Sequence, residues 1–295
     1  MARWRLRASR AHFCRDRNTA QELQFHFPGL PDQIDAETVV RLFPGEAKAG
    51  GLIDAARGEQ HALRPQRDLA VAALACKADA LFGQGAADAE AARFLLHQWV
   101  ADHGYIVVSA DGRGTPGRGR DFERSLKGNF AKVTLADQVE ALQALGQRYP
   151  ELDLSRVGIK GWSFGGYMAA LAVLKRPDVF HVGVAGAPVV DWHDYDTHYT
   201  ERYLDLPAQN PVGYEDSSLL PLAPGLQRPL LIIHGTGDDN VYFFHALKLS
   251  DALFRAGKPH DFLPLSGLTH MVPDANVTIR LWERIMATLG NALRP

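Results

Sequence analysis

Short apolar runs alternate with amphipathic stretches over the C-terminal two thirds of the chain. Five of the apolar runs have the length and composition of buried strands. They occupy residues 105–109, 156–162, 182–186, 229–234 and 261–265. Stretches with helical spacing follow or separate them, at about 134–148, 164–175, 242–256 and 275–292. Strands that alternate with helices predict βαβ units and a mostly parallel sheet, which is the α/β class.

One helix start and one domain boundary can be placed from local signals. Thr134 and Asp137 resemble a capping box, which predicts that the first of these helices begins there. The organisation changes near residue 92, so we predict an atypical N-terminal segment at 1–91 and one α/β domain at 92–295. Within the first segment, residues 67–91 (RDLAVAALACKADALFGQGAADAEA) are rich in alanine, which favours helix over strand.

Composition and charge narrow the classes of function. The chain has 295 residues and a net charge of -2, so there is no electrostatic case for binding nucleic acid or an anionic membrane. No apolar run is long enough to span a bilayer. Two cysteines, Cys14 and Cys76, cannot form a disulfide framework. Residues 1–18 are rich in arginine and lack the apolar region of a secretory signal, which predicts a cytoplasmic protein.

A candidate nucleophile lies between the second apolar run and the helix that follows it. Residues 161–165 (GWSFG) fit the pattern G-x-S-x-G, in which a strained strand-to-helix turn exposes the serine hydroxyl. Ser163 is therefore the predicted nucleophile. The backbone amide of Phe164, at the start of the helix, is the predicted donor to a developing oxyanion.

A nucleophilic serine needs a base and an orienting acid, which follow it in the chain order Ser, Asp, His in this motif class. Asp238 and Asp239 follow the apolar run 229–234, and His270 follows the run 261–265. Because both loops come after strands, they should lie at the same sheet edge as Ser163. The residues alone leave the choice between the two aspartates open. Structural roles are predicted for three other histidines, His234, His245 and His260.

A polar and aromatic segment at 191–203 (DWHDYDTHYTERY) has two possible interpretations. Its acidic residues and histidines are potential metal ligands: His193, Asp194, Asp196 and His198. Their spacing matches no closed zinc pattern and no cysteine joins them, so we predict no metal and no cofactor. A pocket lined by its aromatic rings suits a proline side chain, which is flat and apolar.

Three motifs together resemble the catalytic domain of the prolyl oligopeptidase family of serine peptidases, and its dipeptidyl-peptidase IV branch most of all. They are GWSFGGYMA, YDTHYTERY and HGTGDDNV, at 161–169, 195–203 and 234–241. The resemblance covers about residues 92–292 and implies an α/β-hydrolase fold. It implies a triad of Ser163, Asp238 and His270, with Asn240 holding a substrate carbonyl. It also implies a pocket for proline or alanine built from Val189, Trp192, Tyr195, Tyr199 and Val241, and a possible homodimer.

The sequence departs from this family upstream of residue 105. Family members have a further strand that ends in a Tyr-Gly-Gly-Pro-like turn, whose tyrosine is the second oxyanion donor. This chain has no tyrosine before Tyr105. The expected strand would lie between those at 105–109 and 156–162, so we predict a sheet that is incomplete at its N-terminal strands. The chain also lacks a segment that resembles the family's β-propeller.

These features predict a serine peptidase that acts on peptide substrates, cleaves after Pro or Ala, and forms an acyl-enzyme on Ser163. A carboxylesterase with the same triad is one alternative. The other is a non-catalytic or defective hydrolase-like fragment that lacks the oxyanion tyrosine.

Overall fold

The structure is a computed structural model, and it describes residues 21–26, 37–43, 69–74, 96–115 and 119–293. The described strands form one eight-stranded sheet in the order β1-β2-β4-β3-β5-β6-β7-β8. Their bounds are β1 Gln21–His26, β2 Glu37–Phe43, β3 Leu69–Leu74, β4 Tyr105–Ala110, β5 Leu152–Trp162, β6 Val182–Gly186, β7 Leu230–Gly235 and β8 Asp261–Leu265.

The strands β3 to β8 are parallel to one another. Antiparallel pairing joins β1 to β2 and β2 to β4. The α/β class with a mostly parallel sheet is thus confirmed. In such a sheet the carboxyl ends of the parallel strands lie at one edge, where ligands bind. The loops that follow β5, β7 and β8 are therefore brought to the same edge.

The predicted gap in the sheet is wrong, because β3 pairs with β4 on one side and with β5 on the other. Leu69–Leu74 (LAVAAL) was expected to favour helix because of its alanines. Helix propensity is a small effect per residue, and pairing on both sides of a sheet outweighs it. A continuous apolar run of six residues is also typical of a strand buried on both faces. Residues 75–95, where a turn with an oxyanion donor would follow, lie outside the described residues.

Helices cover both faces of the sheet. Residues 96–102 form α1, and the other helices are α2 Arg120–Arg124, α3 Ala131–Arg148, α4 Phe164–Lys175, α5 Thr197–Leu204, α6 Pro211–Ser217, α7 Phe244–Arg255 and α8 Ala275–Leu293. In β7, Ile232 packs with α3, α4 and α7, whereas its neighbours Leu231 and Ile233 pack with α8. This alternation is the two-residue period of a strand buried on both faces. The core therefore has two apolar layers, one on each side of the sheet.

The start of α3 corrects one local expectation. The helix begins at Ala131 and not at Thr134, since the side-chain carbonyl of Asn129 accepts hydrogen bonds of 2.9 Å from the amides of Ala131 and Lys132. Thr134 lies inside the first turn, where its hydroxyl donates to the carbonyl of Phe130. The amides at the start of α3 are therefore capped by the side chain of Asn129, which lies upstream of the predicted capping box.

The domain boundary predicted near residue 92 stays a prediction, and the strands β1, β2 and β3 that precede it belong to the same sheet as β4. Residues 1–18, on which the cytoplasmic location was predicted, lie outside the described residues. In the described part of the chain, none of the helices combines the length and the apolarity that crossing a bilayer requires.

Candidate active site

Ser163 occupies a sharp turn between β5 and α4. Its backbone has φ 58° and ψ -120°, a conformation that costs a non-glycine residue free energy and persists only where the surroundings impose it. The Ser163 amide donates to the carbonyl of Gly186 in the neighbouring strand β6, at 2.9 Å. The turn therefore has the geometry of a nucleophile elbow, with the serine held at the carboxyl edge of the sheet.

Two glycines make this turn possible because backbone atoms approach them closely. A Cβ atom on Gly161 would lie 2.1 Å from the carbonyl oxygen of Gly165. A Cβ atom on Gly166 would lie 2.2 Å from the carbonyl oxygen of Gly186. Both contacts are with backbone, which cannot move aside as a side chain can. The glycines around Ser163 are thus required for the turn itself and for the close packing of α4 on β6.

Replacing Gly166 with alanine is expected to destabilise the protein by about 3 kcal/mol, since overpacking against fixed backbone costs roughly this much. The free energy of unfolding in urea measures the effect. The matched control is Gly290→Ala in α8, where an added Cβ would meet only the Tyr105 hydroxyl, at 3.8 Å. The control should gain up to about 1 kcal/mol from helix propensity. Equal stabilities for the two variants would contradict the account of the elbow.

Phe164 is the first residue of α4, so its amide lies at the N-terminal end of the helix. The positive end of the helix dipole adds to its attraction for negative charge. An oxygen that becomes negative during attack by Ser163 would lie near this amide. The position fits the oxyanion role predicted for Phe164, which stays a prediction.

The structure brings Asp238 and His270 together. His270 lies in the loop after β8, and its Nδ1 atom is 2.8 Å from Oδ2 of Asp238. The amides of Asn240 and Val241 donate to Oδ1 of the same carboxylate, each at 2.9 Å. Burial raises the pKa of Asp238, but the hydrogen bonds from histidine and amide donors outweigh it and hold the pKa well below its usual value. Asp238 therefore stays ionised, while Asp239 is exposed.

The loops that carry Ser163, Asp238 and His270 are bonded to one another. The Trp162 indole Nε1 donates to the backbone carbonyl of His270 at 2.9 Å, which joins the elbow to the histidine loop. The Gly237 amide donates to the carbonyl of Leu268 at 3.0 Å, which joins the aspartate loop to the histidine loop. These bonds hold the loops of the predicted nucleophile, base and acid beside one another at the sheet edge.

The five predicted pocket residues belong to one apolar cluster beside this edge. Val189, Trp192 and Val241 are buried, while Tyr195 and Tyr199 are partly exposed. The ring centroids of Trp192 and Tyr195 are 5.8 Å apart in an edge-to-face arrangement, and those of Trp192 and Tyr199 are 6.2 Å apart and stacked. The Tyr195 hydroxyl donates to Oδ1 of Asn240 at 2.8 Å, which ties the pocket to the aspartate loop.

Sequence reasoning missed two further rings of this aromatic cluster. The ring of Phe130, at the start of α3, lies 4.3 Å from Trp192 and 5.7 Å from Phe164. The ring of Phe164 itself lies 5.9 Å from Trp192, so this residue contributes its side chain as well as its amide. Nothing in the local pattern marks Phe130, because α3 brings it to the pocket from a distant part of the chain. For Phe164 the signal was available, since a residue beside the nucleophile must face the site.

The possible metal ligands of segment 191–203 engage other groups. Lys248 on α7 forms ion pairs with Asp191 and Asp194. His193 Nδ1 lies 2.9 Å from Oδ1 of Asp191, and the Asp196 carboxylate accepts from the Tyr199 amide at the start of α5. His198 is exposed. These contacts fix the pocket segment on the sheet edge, and the predicted absence of a metal stays a prediction.

Of the three histidines given structural roles, one lies at the site. His245 Nδ1 accepts from the Val190 amide at 3.2 Å, and His260 Nε2 lies 2.8 Å from the Ser250 hydroxyl. His234 Nε2, in contrast, is 3.2 Å from Oδ2 of Asp238. A signal was available, because His234 is four residues before Asp238 at the end of a strand that leads into the acidic loop.

Comparisons with known proteins agree on the family. The family model described as the prolyl oligopeptidase family matches residues 93–294. Dipeptidyl peptidase 8 of Homo sapiens is 47% identical over 165 residues, which make up 55% of this chain and 18% of that protein. Dipeptidyl-aminopeptidase B of Aspergillus niger is 38% identical over 200 residues, 64% of this chain and 21% of that protein.

A solved structure extends the likeness to the fold. The crystal structure of Porphyromonas gingivalis dipeptidyl peptidase 4 has a TM-score of 0.74 and 28% sequence identity, and the match covers 94% of this chain and 36% of that one. The expected α/β-hydrolase fold is thereby confirmed. The chain spans about a fifth of the length of the two curated relatives.

Proposed function

Since the chain belongs to the prolyl oligopeptidase family, we propose that it is a serine peptidase that forms an acyl-enzyme on Ser163. The observation that carries the proposal is the bonded pair of Asp238 and His270 at the sheet edge where the Ser163 elbow lies. An elbow serine without a base would be a poor nucleophile. A base without an orienting carboxylate would populate the wrong tautomer for much of the time.

In the proposed reaction, His270 Nε2 accepts the Ser163 proton as the serine oxygen bonds to the substrate carbonyl carbon. The carbonyl oxygen becomes an oxyanion beside the Phe164 amide. His270 then protonates the leaving amine, the carbon–nitrogen bond breaks, and an ester on Ser163 remains. Water attacks this ester with His270 as base, and the acid product leaves. Asp238 holds Nδ1–H of His270 throughout, so that Nε2 faces the serine.

The proposed pocket suits a small apolar residue, Pro or Ala, on the amino-terminal side of the cleaved bond. Its wall is made of the rings of Trp192, Tyr195 and Tyr199 with the side chains of Val189 and Val241. Aromatic faces pack well on a pyrrolidine ring. Because Asn240 accepts from Tyr195 through Oδ1, its Nδ2 group is oriented as a donor to a substrate carbonyl.

A second candidate, a non-catalytic hydrolase-like protein, is favoured by one observation. The chain has no tyrosine before Tyr105 that could act as a second oxyanion donor. The loss of one such donor costs about 100- to 1000-fold in rate. Under the peptidase proposal, turnover is therefore slow but the serine is still activated.

Two further proposals concern the protein as a whole. We propose a cytoplasmic location. We also propose a homodimer, which exposed apolar side chains on α7 support. They are Phe244, Leu247 and Phe254.

Covalent labelling with a fluorophosphonate, with intact mass and peptide mapping as the readout, tests the peptidase proposal. The label is expected on Ser163 and not on Ser250, whose hydroxyl also contacts a histidine but which lies within the helix α7. Glycyl-prolyl and glycyl-alanyl anilides should then be cleaved in preference to short aryl esters. A preference for the esters would favour a carboxylesterase, and a folded protein without label would favour the non-catalytic candidate.

A further inference from the structure

His234 is a buried histidine near the end of β7, and it is in direct contact with the carboxylate of Asp238. Its side chain is fully buried. Its Nε2 atom lies 2.7 Å from the carbonyl oxygen of Val241 and 3.2 Å from Oδ2 of Asp238. A carbonyl oxygen can only accept, so Nε2 carries the proton and donates to the Val241 carbonyl, while Oδ2 of Asp238 lies within ion-pair distance of the same N–H group. The ring is held from the side by Phe243, edge-to-face at 5.7 Å.

Four N–H groups therefore surround the Asp238 carboxylate. Oδ1 accepts from the amides of Asn240 and Val241, and Oδ2 accepts from His270 Nδ1 and lies 3.2 Å from His234 Nε2. The contact with His234 is thus the longest of the four and comes from the buried side of the carboxylate. The two amides hold Oδ1 in place. The carboxylate can still rotate about the bond between Cβ and Cγ unless Oδ2 is held as well. His234 supplies that second restraint from the protein interior, in addition to the bond from His270.

Packing alone does not account for a histidine at this position. Within the described residues, Nδ1 of His234 is buried without a hydrogen-bond partner. An unsatisfied buried polar atom destabilises a protein, and an apolar side chain of similar volume would avoid this cost. The retained imidazole is explained if its Nε2–H group has a task that an apolar side chain cannot perform.

We propose that His234 is a positioning residue that fixes the plane of the Asp238 carboxylate and thereby the orientation of His270. The proposal rests on the proposed function, since it gives His234 a task in the same triad. His234 does not touch the substrate or exchange a proton. It restrains Oδ2, so that the Asp238–His270 bond keeps one geometry while His270 gains and loses a proton at Nε2.

Two substitutions separate positioning from packing. His234→Gln places an amide nitrogen near the position of Nε2 and should keep kcat within about 5-fold, while His234→Leu has no donor. His234→Leu should lower kcat by roughly 10- to 150-fold, the factor that corresponds to one hydrogen bond to a charged group. KM should stay nearly constant in both, because His234 does not line the pocket. His260→Leu makes the same change at a histidine that is bonded to Ser250 and not to Asp238, and it should leave kcat unchanged.

A second readout does not depend on turnover. The His270 Nδ1 proton, bonded to a carboxylate, should give a downfield proton NMR signal that His270→Ala removes. This signal should persist in His234→Gln and shift or broaden in His234→Leu. An unchanged signal and an unchanged kcat in His234→Leu would overturn the proposal, as would equal losses in both variants with equal drops in Tm. If the wild type is neither labelled nor active, the proposed function fails, and the NMR comparison still decides the role of His234.

Discussion

Alanine in place of Ser163 should abolish fluorophosphonate labelling and lower kcat for a prolyl anilide by about 10⁶-fold. The reason is that, among the residues that the structure describes, Ser163 is the one hydroxyl residue with a positive φ, and it stands at the start of a helix on the same sheet edge as the His270–Asp238 pair. A missing second oxyanion donor would slow the wild type and the variant alike, so the ratio of their rates should persist. Intact mass and initial rates with a sensitive fluorogenic substrate measure the two effects.

Ser250→Ala is the matched control for Ser163→Ala. The Ser250 hydroxyl lies 2.8 Å from His260 Nε2, so a serine–histidine contact is present at both positions. The second ring nitrogen of His260 contacts the carbonyl of Lys258, at 3.1 Å, where His270 contacts a carboxylate. Ser250→Ala should therefore keep full labelling and full activity. Loss of label in Ser250→Ala, or label retained in Ser163→Ala, would contradict the assignment of the nucleophile.

The sequence predicted those elements whose local pattern and tertiary environment agree. The strands β5 to β8 are short apolar runs with helices between them, and each was found close to its predicted place. The elbow was predictable for the same reason, because Gly161 and Gly166 are needed by backbone contacts that arise within the turn and with the adjacent strand. Such constraints leave a mark on a few consecutive residues.

Most of the predictions that failed concern residues whose contacts are with distant parts of the chain. Leu69–Leu74 is a strand because β4 and β5 pair with both of its edges, and its alanines indicate the opposite. Phe130 joins the aromatic cluster around Trp192 because the start of α3 lies near that residue, which is 62 positions later in the sequence. The assignment of His234 to packing failed for a different reason, since Asp238 is only four residues later and their contact forms where the loop after β7 turns back. Burial and pairing of this kind are tertiary properties.

Asparagine in place of Asp238 should lower kcat by about 10⁴-fold, with little change in KM. The amides of Asn240 and Val241 require an acceptor at the Oδ1 position, so the new NH₂ group must occupy the Oδ2 position. There it faces His270 Nδ1 as a donor and selects the tautomer with the proton on Nε2, which cannot accept the Ser163 proton. The same NH₂ group would also face the Nε2–H group of His234, so two hydrogen-bond donors would oppose each other.

The control is Asp239→Asn, which alters an exposed carboxylate of the same loop and should keep kcat within about twofold. Initial rates on a prolyl anilide compare the variants, and equal losses in both would mean that His270 is oriented by another group.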